Sequence, residues 1–185
     1  QCAEVAFAPS ASFEANGGTI DNYQWNFGAD ASPSSSSSAE NPPDISYGSA
    51  SEQTISVTAG NECGQSEAAT QSFTVHPKPE ASFTMPENGN CEGQSVEFDA
   101  NGSSIATGAI STYEWDFGET GETASQTFNT AQQVTVELTV ISDQGCRDSI
   151  SQSLTIHPIP TASFTTQDVC EGTEAAFQNS SSATD

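Results

Sequence analysis

Basic side chains are almost missing from this chain. Lys78 and Arg147 are the two present in 185 residues, against 25 Asp and Glu, for a formal net charge of -23. No surface can then neutralise a phosphate backbone and release its counterions, so nucleic acid is excluded as a partner. An anionic membrane surface is disfavoured for the same reason unless a divalent cation bridges the two. No segment approaches the roughly 20 apolar residues of a membrane span, and Gln1-Cys2-Ala3 opens the chain without a basic stretch followed by an apolar run. Direct membrane insertion is not expected. Histidine occurs twice, as His76 and His157, each beside prolines. Catalysis needs a nucleophile, a base titrating near neutrality and a group to orient it, and acids on solvated loops lack the desolvated pairing that glycoside hydrolysis requires. The chain reads as non-catalytic. Leu, Ile, Val and Phe number 29 of 185, which with so large a charge would ordinarily signal disorder; their spacing says otherwise.

The apolar residues fall at strand period, and nothing reads as a helix of any length. Tyr23-Gln24-Trp25-Asn26-Phe27-Gly28 is echoed by Tyr113-Glu114-Trp115-Asp116-Phe117-Gly118. Tyr, Trp and Phe alternate in each, so an extended chain throws all three rings onto one face: Tyr23, Trp25, Phe27, Tyr113, Trp115 and Phe117 are the expected core. Upstream of each stands a Cys followed by an apolar-x-Phe run, Val5-Ala6-Phe7 and Val96-Glu97-Phe98. Downstream come an alternating strand (Thr54–Thr58; Val134–Val140), a Cys-bearing turn (Asn61-Glu62-Cys63-Gly64; Asp143-Gln144-Gly145-Cys146) and a last strand carrying Phe73 and Val75 or Leu154 and Ile156. The last strands end in His76-Pro77-Lys78-Pro79 and His157-Pro158-Ile159-Pro160, and Ala-Ser-Phe-Thr follows at 81–84 and 162–165. This is an internal repeat of about eighty residues, with expected domains at 1–78 (lacking a lead strand), 79–158 and 159–185 (the start of a third). Both ends fall inside units, so the chain is expected to be a piece of something longer. The tract Ala31-Ser32-Pro33-Ser34 through Ser38 reads as a mobile, solvated loop.

Short alternating strands and frequent turns indicate all-β architecture, with antiparallel sheets packed face to face. The aromatic hexapeptides, Cys91-Glu92-Gly93, Val134-x-Val136-x-Leu138-x-Val140, Gly145-Cys146 and Asn61-Glu62-Cys63-Gly64 together resemble the PKD (polycystic kidney disease) domain, in the cysteine-bearing kind found in tandem on secreted Bacteroidota proteins. The resemblance implies immunoglobulin-like sandwiches arranged end to end.

Cys2 and Cys63 occupy the same two places in the first repeat as Cys91 and Cys146 in the second, so two disulfides within repeats are expected, Cys2–Cys63 and Cys91–Cys146. Cys170 takes the first-cysteine place of the third unit and is expected to have its partner beyond residue 185. Zinc is the competing reading, but no pair has Cys-x-x-Cys spacing. No cofactor is expected, with calcium as the one candidate: Glu80, Glu87 and Glu92 cluster in sequence at the start of the second unit and Asp168, Glu171 and Glu174 at the start of the third, where hard oxygen ligands could converge. Asp148-Ser149-Ile150 resembles a Bacteroidota O-glycosylation sequence, making Ser149 a candidate glycan site.

The functional expectation is an extracellular structural stalk segment, and the resemblance implies that it belongs to a large repetitive surface adhesin, of the kind carried by gliding cells and exported by the type IX system. Its partners would be neighbouring repeats, and a surface polysaccharide or another cell surface. The alternative is an accessory binding module of a secreted hydrolase. A sugar platform needs exposed aromatics, and the core strands already use most of the Trp and Tyr. Alternate prolines in both linkers fix φ and favour an extended crossing.

Overall fold

The computed structural model of the chain describes residues 1–13, 19–87 and 90–183, and these residues form strands and turns with no helix. Two compact units result. The first comprises Gln1–Glu80 with Ile105–Ser111 and Ile141–Asp148; the second comprises Ala81–Ser104, Thr112–Val140 and Ser149–Asp185. The chain boundary thus falls two residues after the expected 78, and two short segments of the second repeat group with the first.

In the first repeat the aromatic strand β1 (Asn22–Asn26) lies between β3 (Ser36–Ser37) and the long β5 (Ser51–Asn61). Trp25 stands opposite Val57 and Ser37. β5 also pairs antiparallel with β6 (Gly64–Gln65) and β7 (Ala69–Val75), Ser51 opposite Val75. A second layer is built by β2 (Ala31–Ser32) on β4 (Ser46–Tyr47) and by residues 2–7, which lie along β4 through a Phe7–Ile45 bridge and end in a parallel bridge from Cys2 to His76. Ala3, Trp25, Phe27, Ile45, Tyr47, Val57 and Val75 fill the space between the layers. Burial of these side chains supplies the main favourable contribution, at about 25 cal/mol per Å² of apolar surface removed from water. Two polar groups of the core find partners: Tyr47 donates its hydroxyl to the Phe27 carbonyl at 2.6 Å, and Trp25 Nε1 donates to Ala39 O at 3.0 Å, while Thr58 Oγ1 on β5 is buried without a hydrogen-bond partner.

The serine tract is largely exposed, as its composition predicts, but it is not irregular throughout. Two of its pieces are strands, β2 and β3, and Ser34 Oγ donates to Ser36 O at 2.7 Å. Small side chains let the tract fold tightly back across the end of β1, and their hydroxyls supply local partners that composition alone does not reveal.

The second repeat uses the same plan with β8 (Ser95–Asp99), β9 (Ile110–Trp115), β10 (Thr123–Thr127), β11 (Gln132–Ser142) and β12 (Arg147–Ile156). β8 pairs with β10, while β9, β11 and β12 form a sheet with β11 central. Along β11 Val136, Leu138 and Val140 are buried in alternation, as a half-buried antiparallel strand requires. Trp115 stacks on Phe117 at 5.9 Å, matching the 5.9 Å of Trp25 on Phe27. Of the six rings expected in the core, Trp25, Phe27 and Trp115 are buried, while Tyr23, Tyr113 and Phe117 are half-buried. Beyond Pro160 a hairpin of β13 (Phe164–Thr166) and β14 (Phe177–Asn179) carries two exposed rings, Phe164 and Phe177, in contact with each other.

Candidate functional site: a cysteine bridge and an open aromatic groove

The cysteines occupy opposite ends of each repeat. Cys2 bridges His76, the residue after Val75, and Val75 pairs with Ser51 at the start of β5. Cys63 lies in the turn beyond Asn61, at the other end of the same eleven-residue strand. At about 3.3 Å per residue this separates the two cysteines by about 30 Å, whereas a disulfide needs Cα atoms within about 7 Å. The expected Cys2–Cys63 bond cannot form. The second repeat behaves alike: Cys91 bridges His157 at the end of β12, and Cys146 sits in the hairpin between β11 and β12. The expected Cys91–Cys146 bond is excluded for the same reason. The bond present is Cys2–Cys146, with Cα atoms 5.6 Å apart and 144 residues between them in sequence. It lies within the first compact unit, to which the Cys146 hairpin belongs, and it joins the strand-end cysteine of one sequence repeat to the hairpin cysteine of the next. Cys63, Cys91 and Cys170 are free thiols; Cys63 and Cys170 are exposed and Cys91 half-buried.

The bridge has a prepared setting. Cys146, 1% exposed, donates its backbone N–H to Ser142 Oγ at 3.1 Å, and its carbonyl accepts from Ser142 N at 2.8 Å. Lys78, one of the chain's two basic side chains, pairs with Asp148 at 2.8 Å in the same unit. That hydrogen bond and charge raise the lysine's pKa above its usual value. The pair is solvent-exposed, so its contribution to stability is small. The same unit has a cleft of about 220 Å³ lined by His76, Pro77, Ile105, Gly108, Ser142 and Asp143. His76 is held as a strand-edge residue: its N–H donates to Gln1 O and its carbonyl accepts from Ala3 N. His157 takes the matching place, its N–H donating to Asn90 O and its carbonyl accepting from Glu92 N.

A groove of about 370 Å³ opens on the first unit, lined by Phe7, Pro9, Trp25, Ile55, Val57 and Phe73. Its counterpart in the second repeat is closed. There Phe83, from the Ala-Ser-Phe-Thr segment, is buried against Phe98 at 6.3 Å and Trp115 at 5.2 Å, the residues equivalent to Phe7 and Trp25. Its carbonyl accepts from Gln152 Nε2 at 2.7 Å, and Thr84 bridges Asp99. Gln71, which holds the Gln152 place, lines the first groove.

The remaining expected residues are dispersed. Among the described residues no group of three or more His, Cys, Asp or Glu stands close enough to hold a metal ion, so Glu80, Glu87, Glu92, Asp168, Glu171 and Glu174 do not assemble a calcium ligand set. Glu92 instead accepts a hydrogen bond from Ile159 N at 3.3 Å. Ser149 is exposed but lies inside β12 rather than on a loop, beside the Asp148 that pairs with Lys78. Burial raises the Tyr47 phenol pKa; burial with Glu40 raises that of Tyr23, and burial with Glu122 that of Tyr113. Sequence reasoning missed one strained residue: Glu4 adopts φ 63°, and the matching position in the second repeat is Gly93, φ 77°. Each donates its N–H to the equivalent carbonyl, Tyr47 O and Phe128 O. A glycine at one of two aligned positions is the signal that could have found it.

The PKD domain family matches residues 76–158. Among solved structures, the chain is similar to the PKD1 domain from the Vibrio cholerae metalloprotease PrtV, at 29% identity over 43% of this chain and 96% of that one, with a TM-score of 0.37. It is also similar to the amphioxus IgVJ-C2 molecule, at 15% identity over 84% and 99% of the two chains, with a TM-score of 0.34.

Proposed function

We propose, from the premise that residues 76–158 are a PKD domain, that the chain is a non-catalytic stalk segment: tandem repeats in series that hold another part of a surface protein away from its anchorage. The observation that carries this reading is the Cys2–Cys146 bond. A disulfide between the strand-end cysteine of one repeat and the hairpin cysteine of the next serves mechanical continuity, since it limits how far the two can be pulled apart. It also fits an oxidising compartment outside the cell, where disulfides persist. Alternate prolines in both linkers and mutual repulsion from a net charge of -23 disfavour folding back of one repeat on another. Within this reading the parent protein is a large repetitive adhesin at the cell surface, of the type IX-exported, gliding-associated kind, and the partners of each repeat are its neighbours. Small-angle scattering on chains of two, three and four repeats tests the proposal. The longest dimension should grow almost linearly with repeat number; a particle whose longest dimension stays constant would overturn it.

A further inference from the structure

Every repeat carries its two cysteines at opposite ends, yet the chain holds a single bond. Two thiols occupy the places of bonded partners. Cys91 repeats the setting of Cys2: a parallel bridge to the last-strand histidine, His157 for His76, and a turn closed by Gln94 N donating to Cys91 O as Val5 N donates to Cys2 O. Cys63 takes the place of Cys146 in its own repeat: each stands in the hairpin after the long central strand with its N–H held by a side-chain oxygen of that strand's end, Asn61 Oδ1 two residues back at 2.9 Å for Cys63 and Ser142 Oγ four residues back at 3.1 Å for Cys146, Cys63 being exposed where the bonded Cys146 is buried. Neither can reach the other cysteine of its own repeat, for the reason of strand length given above.

We propose that Cys91 and Cys63 are the open ends of a disulfide ladder. Cys91 bonds the hairpin cysteine of a repeat that follows, and Cys63 bonds the strand-end cysteine of a repeat that precedes, each bond having the connectivity of Cys2–Cys146. This rests on the tandem-stalk reading and assigns its joints. Cys170, which follows the His-Pro-Ile-Pro linker, is the strand-end cysteine one step further on. Closing each rung takes two thiols, releases two protons and passes two electrons to a disulfide-bearing oxidant, which leaves as two thiols. Both thiols need to be reached for that exchange: Cys63 is exposed and Cys91 half-buried. A ladder so connected differs in kind from a string of internally stapled domains. Each joint carries load through a covalent bond as well as through the proline linker, and one reduction step loosens every joint without opening any sandwich.

The test lengthens the chain by one complete repeat, with a copy of residues 81–160 in place of everything after Pro160, refolded in reduced and oxidised glutathione. The expected product has two disulfides and two thiols: Cys2–Cys146, and Cys91 bonded to the copied hairpin cysteine, with Cys63 and the copied strand-end cysteine alkylatable. Cys91→Ser should leave the copied hairpin cysteine alkylatable and Cys2–Cys146 intact. A bond between the two copied cysteines, or Cys91 and the copied hairpin cysteine both recovered as thiols in a chain whose tryptophans are buried by fluorescence, would overturn the ladder. Scattering on the same material separates the two readings. An extended particle without the second bond refutes the ladder and leaves the stalk standing, while the second bond in a compact particle does the reverse.

Discussion

Phe83→Ala should convert the second repeat into an imitation of the first, with an open groove in place of a seated ring. Phe83 is 4% exposed and touches Phe98 and Trp115. Removing a buried phenyl group costs its transfer free energy plus the cavity left behind, about 3–5 kcal/mol in well-packed sites. Taking the low end of that range for a seat at the margin of a small core, about 3 kcal/mol is the expected loss. For a unit of this size, with a urea dependence of about 1 kcal/mol/M, the midpoint falls by about 3 M. Hydrogen–deuterium exchange during urea unfolding reads the two repeats separately. Peptides from β11 and β12 should lose protection early, while those from β1 and β5 keep theirs, because the first repeat has no equivalent side chain to lose. A midpoint shift below about 1 M in the second repeat would refute the idea that the lead strand wedges the sandwich shut. The converse follows: joining a copy of residues 79–89 ahead of Gln1 should raise the stability of the first repeat.

Glu4→Gly should stabilise the first repeat by about 0.5–1 kcal/mol, because it relieves a left-handed backbone that glycine adopts without a Cβ penalty, partly offset by the freer unfolded chain; a urea titration reads it, and destabilisation would contradict the strain. Tyr47→Phe should cost about 1–2 kcal/mol by leaving the Phe27 carbonyl without its hydroxyl donor, measured the same way. Alkaline pH should destabilise the fold: the Tyr23, Tyr47 and Tyr113 phenols and Lys78 all have folded-state pKa values raised above their usual 10.0 and 10.5. Their stabilisation is complete below those values and lost as pH rises through the higher folded ones, so thermal melts should hold steady to about pH 9 and fall beyond it, less steeply in Tyr47→Phe. Calorimetry with Ca²⁺ at millimolar concentration should give no saturable heat, since the acids at the unit starts do not converge.

Much of the architecture was legible because period-two alternation fixes which side chains share a face. The Tyr-x-Trp-x-Phe strands, the Val136, Leu138, Val140 face and the last strands all follow from it. Disulfide pairing did not, because a repeat reveals which positions correspond and not how far apart they stand. The first repeat's central strand is readable as Thr54–Thr58 from its apolar residues, yet polar residues at both ends extend it to Ser51–Asn61, and that length puts Cys63 out of reach of Cys2. The serine tract was opaque for a related reason: its strands are held by backbone pairing, to which serine side chains give no apolar signature. The packing of Phe83 was also opaque: Ala-Ser-Phe-Thr shows in sequence as a repeated segment, and only the structure seats its ring against Phe98 and Trp115.

The account stands most directly on which cysteines are joined. Digestion of the intact, non-reduced chain with a glutamyl endopeptidase, after alkylation of free thiols, should yield Cys2 linked to Cys146, with Cys63, Cys91 and Cys170 all alkylated. Recovery of Cys2 linked to Cys63, or of Cys91 linked to Cys146, would contradict the placement of the two cysteines at opposite ends of each repeat, and with it the stalk joint built on that placement.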